Sequence, residues 1–272
     1  MIKYGKKLIF MYSDEHLLFL KKEKKKKFII KFFRLSLIIL FIFLWQLAAD
    51  LNWINTFITS SPKMVLKTLI KLSTEGLFMH IFVTVYETLI SFGLGTFIGI
   101  FIATLLWWNK YLYKIFDPYL TILNSLPKVA LGPIIIIWCG ANISSIIIMA
   151  LLISVIITII NISTCFNQVN KNQIKLLKSF KATKKQLFFK LILPSSINSI
   201  ISSLKINISM SLIGVIMGEF LVSKKGIGYL ILYGSQIFNL NLVMTGIIVL
   251  CIVAAIMYYG VLLLEKKLTR KS

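Results

Sequence analysis

The feature that most constrains this chain is a recurrence. Apolar blocks of about twenty residues, the length that a ~30 Å hydrocarbon core requires, alternate with short stretches rich in lysine. The blocks fall at residues 28–49, 82–108, 119–139, 144–163, 195–222 and 241–264. In lipid every backbone N–H and C=O must find a partner within the chain, so each block is expected to be a helix. The fold class is therefore an all-α membrane protein of six transmembrane helices. A composition of 58% apolar residues and a mean hydropathy of +0.87 exclude a water-soluble domain. The first block is too long for the apolar core of a cleaved signal peptide, and Leu47-Ala48-Ala49 is a poor cleavage site, so it reads as an uncleaved span.

The net charge is +22, but the lysines sit between apolar blocks instead of forming one basic domain. That pattern argues against nucleic acid and for a topology signal. With the N-terminus inside, 24 of the 31 Lys and Arg residues fall on cytoplasmic segments and five, Lys63, Lys67, Lys71, Lys224 and Lys225, on outer ones. Both termini, and the segment 167–198, are thus expected in the cytoplasm. The organisation is a basic tail over 1–27, with Met1 and Met11 as candidate starts, and then a first span and outer amphipathic segment over 28–81. A transmembrane core over 82–264, which includes the segment 167–198, and a basic C-terminus over 265–272 follow. Ser60-Ser61-Pro62 followed by Val65, Leu66, Leu69 and Leu72 predicts a short amphipathic helix at the membrane surface. Lys110, Lys114 and Asp117-Pro118 predict a loop. Cys139, Cys165 and Cys251 are scattered, and His16 and His80 are the only histidines, so no metal site is expected.

Within the spans, Gly95 and Gly99 form one close-packing pair and Gly214 and Gly218 a second. Glu87 is expected near the outer end of its span, in reach of water. The third span is interrupted by Pro127, Gly132 and Pro133 and carries Lys128. Broken helix at membrane depth is tolerated only where protein or a water-filled cavity satisfies the backbone, so Ser125, Leu126, Pro127 and Lys128 are expected to face the interior. The fifth span is rich in Ser and Asn, which serve either as glue between helices or as the lining of a path. Pro127, Lys128, Pro133, Asn207, Ser211 and Glu219 are the candidate path residues. Lys205 and Glu219 are intramembrane charges, costly unless functional.

Residues 167–198 are basic and compatible with water. At helical spacing Ile174, Leu177 and Phe180 share one face, and Lys171, Lys175, Lys178 and Lys185 another. A turn over 181–183 and a second helix carrying Leu187, Phe188 and Leu191, stopped by Leu193-Pro194, complete a small platform. This segment resembles the cytoplasmic coupling loop of ABC-importer permeases, which reads Glu-Ala-Ala, three residues, Gly, nine residues, Ile, one residue, Leu-Pro. Lys175-Leu176-Leu177 stand at the Glu-Ala-Ala positions, Lys181 at the glycine, Leu191 at the isoleucine and Leu193-Pro194 at the closing pair. Upstream, SLPKVALGPIIIIWCG is similar to the third-span signature of the nitrate, sulfonate, taurine and thiamine-precursor import permeases. Leu126-Pro127, Ala130-Leu131, Pro133 and Trp138 match, with Cys139-Gly140 where Phe-Gly is usual.

The resemblance implies a type I ABC-importer permease: a homodimer of this chain, a cytoplasmic ABC ATPase dimer, an extracytoplasmic substrate-binding protein, and location in a prokaryotic plasma membrane. No GxxxxGK[ST] occurs, so the chain is not expected to be an enzyme; ATP and Mg belong to the partner. The coupling residues implied are Lys175, Leu177, Phe180, Lys181, Ala182, Leu187, Phe188, Leu193 and Pro194. Phe180, Leu187 and Phe188 are expected as apolar anchors in the ATPase groove, and Pro194 as the residue that sets the joining angle. Lys181 in place of glycine costs about 1 kcal/mol where the backbone is left-handed. Lys175 in place of Glu reverses a charge and implies acidic residues on the dock. The rival from another class is a secondary transporter working without an ATPase, which should show two halves with matched broken helices; the broken third span has no such counterpart. A channel lacks its charged ring, and an intramembrane enzyme its paired groups. The solute is either a sulfonate-, taurine- or nitrate-like anion or a pyrimidine of the thiamine-precursor kind.

Overall fold

The computed structural model describes residues 14–269, and the regular elements among them are helical. Residues 1–13, with both candidate starts, and the C-terminal Arg270 and Lys271 lie outside the described residues. The chain divides into two units, residues 1–65 and 66–272.

The first unit is dominated by α1 (Asp14–Asp50), one continuous 37-residue helix. It begins well before the expected span and takes in the lysine run. Lysine is a good helix former, and Glu23 meets Lys27 one turn on at 3.4 Å. From Leu18 to Asp50 no part of its apolar window is buried within the chain, and Phe28, Phe33, Leu37 and Phe41 are exposed. A helix apolar on all sides belongs in lipid. Gln46 closes its end, donating to Asp50 Oδ1 at 2.8 Å and accepting the Lys63 N–H at 3.0 Å. The short α2 (Thr56–Thr59) is capped by Asn55. α3 (Pro62–Thr74) starts on its proline as the sequence predicts.

The second unit is built around three long helices: α4 (Leu77–Trp108), α7 (Ile143–Asn167) and α10 (Leu193–Val222). α7 packs along both of the others. Small residues permit this. A Cβ on Gly95 would lie 2.2 Å from Ser154 Oγ, and one on Gly99 2.5 Å from Thr158 Cβ. On the other side, Cβ atoms on Gly214 and Gly218 would lie 2.5 Å from Ala150 Cα and 2.9 Å from Ile146 Cα. Both expected glycine pairs therefore meet the same helix, where a membrane interface gains from close dispersion contact. α11 (Ile227–Gln236) and α12 (Leu240–Thr269) pack together and close an apolar cluster of Leu77, Ile227, Leu230, Val249 and Val253.

The third span departs from expectation. Residues 110–118 are not a loop but the first half of α5 (Lys110–Ser125), capped by Asn109. The break comes at Leu126, which is extended (ψ 138°) because the following Pro127 disfavours helical backbone before it. A tight turn over Lys128–Leu131 leads into α6 (Gly132–Cys139), and the two arms are bent by 88°. Among the described residues five helices are long and apolar enough to cross a membrane, and the count reaches six when this bent pair is one crossing.

The contrast between two glycines tests the packing. Gly93 has nothing within 4 Å of a built Cβ, so Gly93→Ala should be neutral or stabilising, by up to about 1 kcal/mol. Gly214→Ala forces α10 from α7 and should cost about 1–3 kcal/mol. Thermal midpoints of the purified protein in detergent would separate the two; equal midpoints would refute the packing.

Candidate functional site

Between α7 and α10 the chain folds into two short helices. α8 (Lys171–Ser179) is capped by Asn170, whose Oδ1 accepts the Asn172 N–H at 2.9 Å. Its amphipathic pattern is realised in part: Ile174 and Leu177 turn inward onto the core, while Lys171, Lys175 and Lys178 are exposed. The helix ends with Lys181 in the left-handed region, at φ 57°. The Lys181 N–H donates to Lys178 O at 2.9 Å and the Ala182 N–H to Leu177 O at 3.1 Å, the paired bonds of a Schellman end. The position that the coupling-loop motif gives to glycine thus has the backbone angle glycine favours, with a lysine bearing the strain.

Thr183 then starts α9 (Lys184–Leu187) with a capping box: its hydroxyl accepts the Gln186 N–H at 3.3 Å, and Gln186 Oε1 accepts the Thr183 N–H at 2.8 Å. Proline does not stop this second helix. It widens to a π turn over Phe188–Ile192 and runs on into α10. The Leu193 N–H reaches back five residues to Phe188 O. The wide turn accommodates Pro194, which lacks an N–H and whose ring would clash with the carbonyl four residues back in a regular helix.

Phe188 fastens this platform to the membrane helices. Its ring lies 4.9 Å from Trp107, 5.8 Å from Trp108 and 5.6 Å from Phe166, centre to centre. Lys184 Nζ donates to the Trp108 carbonyl. Leu187 and Phe188 are therefore buried in their own chain, 8% and 4% exposed, and are not free to enter a partner's groove as the sequence suggested. Their apolar surface is used against Phe166, Ile162 and Ala103. Of the expected anchors only Phe180 is available, at 74% exposed; Leu176 (57%) and Phe189 (59%) join it. Leu193 is half-buried and Pro194 exposed.

The candidate path residues separate into two groups. Asn207, Ser211 and Glu219 are enclosed within the chain, a correction to their expected role. Asn207 Nδ2 donates to Thr96 Oγ1 at 2.6 Å, holding α10 to α4. Glu219 accepts the Thr84 hydroxyl at 2.6 Å and the Gly228 N–H at 2.6 Å, and Thr84 Oγ1 accepts the Ile227 N–H at 2.8 Å. The carboxyl caps the start of α11 and ties it to α4 and α10. Cβ atoms on Gly226, at φ 110°, and Gly228 would lie 2.3 and 2.7 Å from this carboxyl group. Glu87 does not reach water either: it is fully buried and faces Glu219. Pro127, Lys128 and Pro133 form the second group. They are not interior to the single chain: both prolines are exposed, Lys128 is half-buried, and its Nζ caps α5 at Asn124 O, 2.7 Å away.

A groove of about 440 Å³ between α7 and α10 is lined by Asn161, Thr164, Cys165, Asn198, Ser199 and Ser202 among others; the Ser and Asn side of it was legible in the fifth span, and sequence reasoning missed that α7 completes it. The signal was present, since Asn161 and Thr164 stand three apart near the end of α7. Also missed was the partner of Lys205, which is Glu265 of α12 at 3.0 Å.

Two substitutions test the platform. Lys181→Gly should raise stability by about 1 kcal/mol by relieving the left-handed lysine. Phe188→Ala should cost about 3–5 kcal/mol through the emptied aromatic cluster. Both are read as thermal or denaturant midpoints, and a neutral Phe188→Ala would remove it as the fastening.

Comparison with known proteins agrees with this geometry. The model of the family described as binding-protein-dependent transport system inner membrane component matches residues 95–270. The formylaminopyrimidine transport permease protein ThiX of Halalkalibacterium halodurans is 28% identical over 186 residues, 68% of this chain and 74% of that one. The putative aliphatic sulfonates transport permease protein SsuC of Bacillus subtilis is 27% identical over 228 residues, 84% of this chain and 83% of the other. The nitrate import permease protein NrtB of Synechocystis is 25% identical over 194 residues, 71% and 67% of the two chains. Among solved structures, a chain of the MetNI methionine ABC transporter in an inward-facing conformation matches with a TM-score of 0.63, covering 73% of this chain and 97% of that one. At 17% identity that likeness establishes a shared fold. A helical core closed by glycine contacts, with a strapped platform between two spans, is thus the architecture of a multi-pass inner-membrane protein, and the chain belongs to the family of binding-protein-dependent transport system inner membrane components.

Proposed function

We propose that this chain is the permease subunit of an ATP-driven importer, with two copies enclosing a path for a small polar solute. An extracytoplasmic binding protein delivers the solute, and a separate ATPase dimer, holding ATP and Mg, drives the cycle through the platform over 167–198. The observation that carries this reading is the way the platform is attached. Phe188 sits among Trp107, Trp108 and Phe166, so a displacement of α8 and α9 is passed directly to the ends of α4 and α7 and, through the π turn, to α10. A small rigid element strapped to three spans can bias a bistable bundle between inward-open and outward-open arrangements. Leu176 and Phe180, exposed beside the lysines of α8, offer a partner an apolar contact with a basic surround. Lys181, exposed beside Phe180, favours acidic residues on the ATPase.

Relatives named for formylaminopyrimidine, aliphatic sulfonates and nitrate support a small polar solute, an anion or a pyrimidine. The groove of hydroxyl and amide groups between α7 and α10 suits hydrogen bonding to either. Such side chains exposed at membrane depth belong against water or a second copy, not lipid.

Reconstitution in vesicles tests the reading. Uptake should require the ATPase and the binding protein, and Phe180→Asp together with Leu176→Asp should lower solute-stimulated ATP hydrolysis by at least about tenfold, a loss of ~1.4 kcal/mol or more. Uptake by the chain alone would establish a secondary transporter instead. In a chain without its native cysteines, a Lys185→Cys thiol should react with an impermeant reagent in inverted vesicles and not in intact cells. The reverse would overturn the cytoplasmic placement of the platform.

A further inference from the structure

The inner side of the platform does something different from its outer side. A cavity of about 700 Å³ opens between the end of α4, the start of α5, the end of α7 and the inward side of α8 and α9. Lys110, Lys171, Lys175, Lys178 and Lys184 line it, and no carboxylate does. None of the five is in an ion pair among the described residues, and Lys184 alone has a hydrogen bond from its ammonium group, to the Trp108 carbonyl. Ammonium groups gathered around one cavity repel each other unless an anion joins them. The lining also includes apolar side chains, among them the half-buried Trp107 and Ile174.

Two properties identify the anion. Paired tryptophans at the end of a span mark the depth at which headgroups lie, and Trp107 is part of the cavity wall. The lining also combines ammonium groups with apolar side chains, as a phospholipid combines a phosphate with acyl chains. A protein partner fits the outer side better, because the exposed Leu176 and Phe180 do not line the cavity. We propose that the cavity binds the headgroup of an anionic phospholipid, its phosphate among the five lysines and its glycerol end against Trp107 and Ile174. Basic pockets between membrane helices on a cytoplasmic face have the charge and depth for this role. A bound lipid would brace the platform against α5 independently of any ATPase.

The test uses the full-length protein in nanodiscs of phosphatidylcholine doped with phosphatidylglycerol, extracted and weighed by native mass spectrometry. The chain should retain phosphatidylglycerol over phosphatidylcholine by at least about tenfold. A triple Lys110→Gln, Lys171→Gln, Lys178→Gln variant should lose that preference, and the triple Arg variant should keep it. Neutralising Lys185, Lys190 and Lys225, which lie outside the cavity, should change nothing. Thermal midpoints should rise with phosphatidylglycerol in detergent and not with inorganic phosphate. Equal loss in the control variant, retention in the Gln variant, no lipid preference in the native chain, or an equal response to inorganic phosphate would each overturn the proposal. A Gln variant that fails to fold is recognised by gel filtration; the Arg variant then decides, because loss of lipid there counts against a charge-based site.

Discussion

Close approach of α7 to its two neighbours is the condition on which the rest of this structure depends. Lipid tails supply no hydrophobic drive between helices, so contact must come from shape and from buried polar bonds. Four glycines let α4 and α10 come within backbone distance of α7. Once that contact exists, Asn207 can reach Thr96 and Glu219 can reach Thr84, neither of which would span a looser interface. The aromatic cluster around Phe188 also needs the ends of α4 and α7 side by side. The platform is thus a product of the membrane packing and not an independent appendage.

The platform has an inward and an outward character that its sequence blends. Ile174, Leu177, Leu187 and Phe188 belong to the core of their own chain, while Leu176, Phe180 and Phe189 remain exposed. Helical periodicity places Ile174, Leu177 and Phe180 together, and the first two behave alike. Phe180 departs because it is the C-cap, where the chain leaves helical geometry for the left-handed turn at Lys181. A residue at the boundary of an element escapes the periodicity that governs its interior.

Much of the fold could be read before the structure. Span positions follow from the length of apolar blocks, and the two glycine pairs from their spacing, because both reflect local rules that lipid enforces strictly. The positive φ at Lys181 was legible through the motif position it occupies. What stayed hidden depends on which neighbour a face meets. Glu87 and Glu219 look like interfacial charges in sequence, and only three-dimensional pairing shows that they are enclosed at the start of α11. Residues 110–118 look like a loop because Lys, Asp and Pro cluster there, but an Asn109 cap turns that cluster into a helix start. Lys205 gave no hint of Glu265, which lies sixty residues away in sequence.

The π turn over Phe188–Ile192 has a geometric consequence for how the platform and the membrane are geared. Each residue of a regular helix advances the azimuth by roughly 100°, so one surplus residue offsets everything before it against everything after it by about that much. Without the offset, Phe188 could not point at the indoles while Asn207 points at α4 on the same rod. The wide turn is therefore a phase shifter between two mating surfaces, and Pro194, by forbidding a tighter coil there, locks its setting.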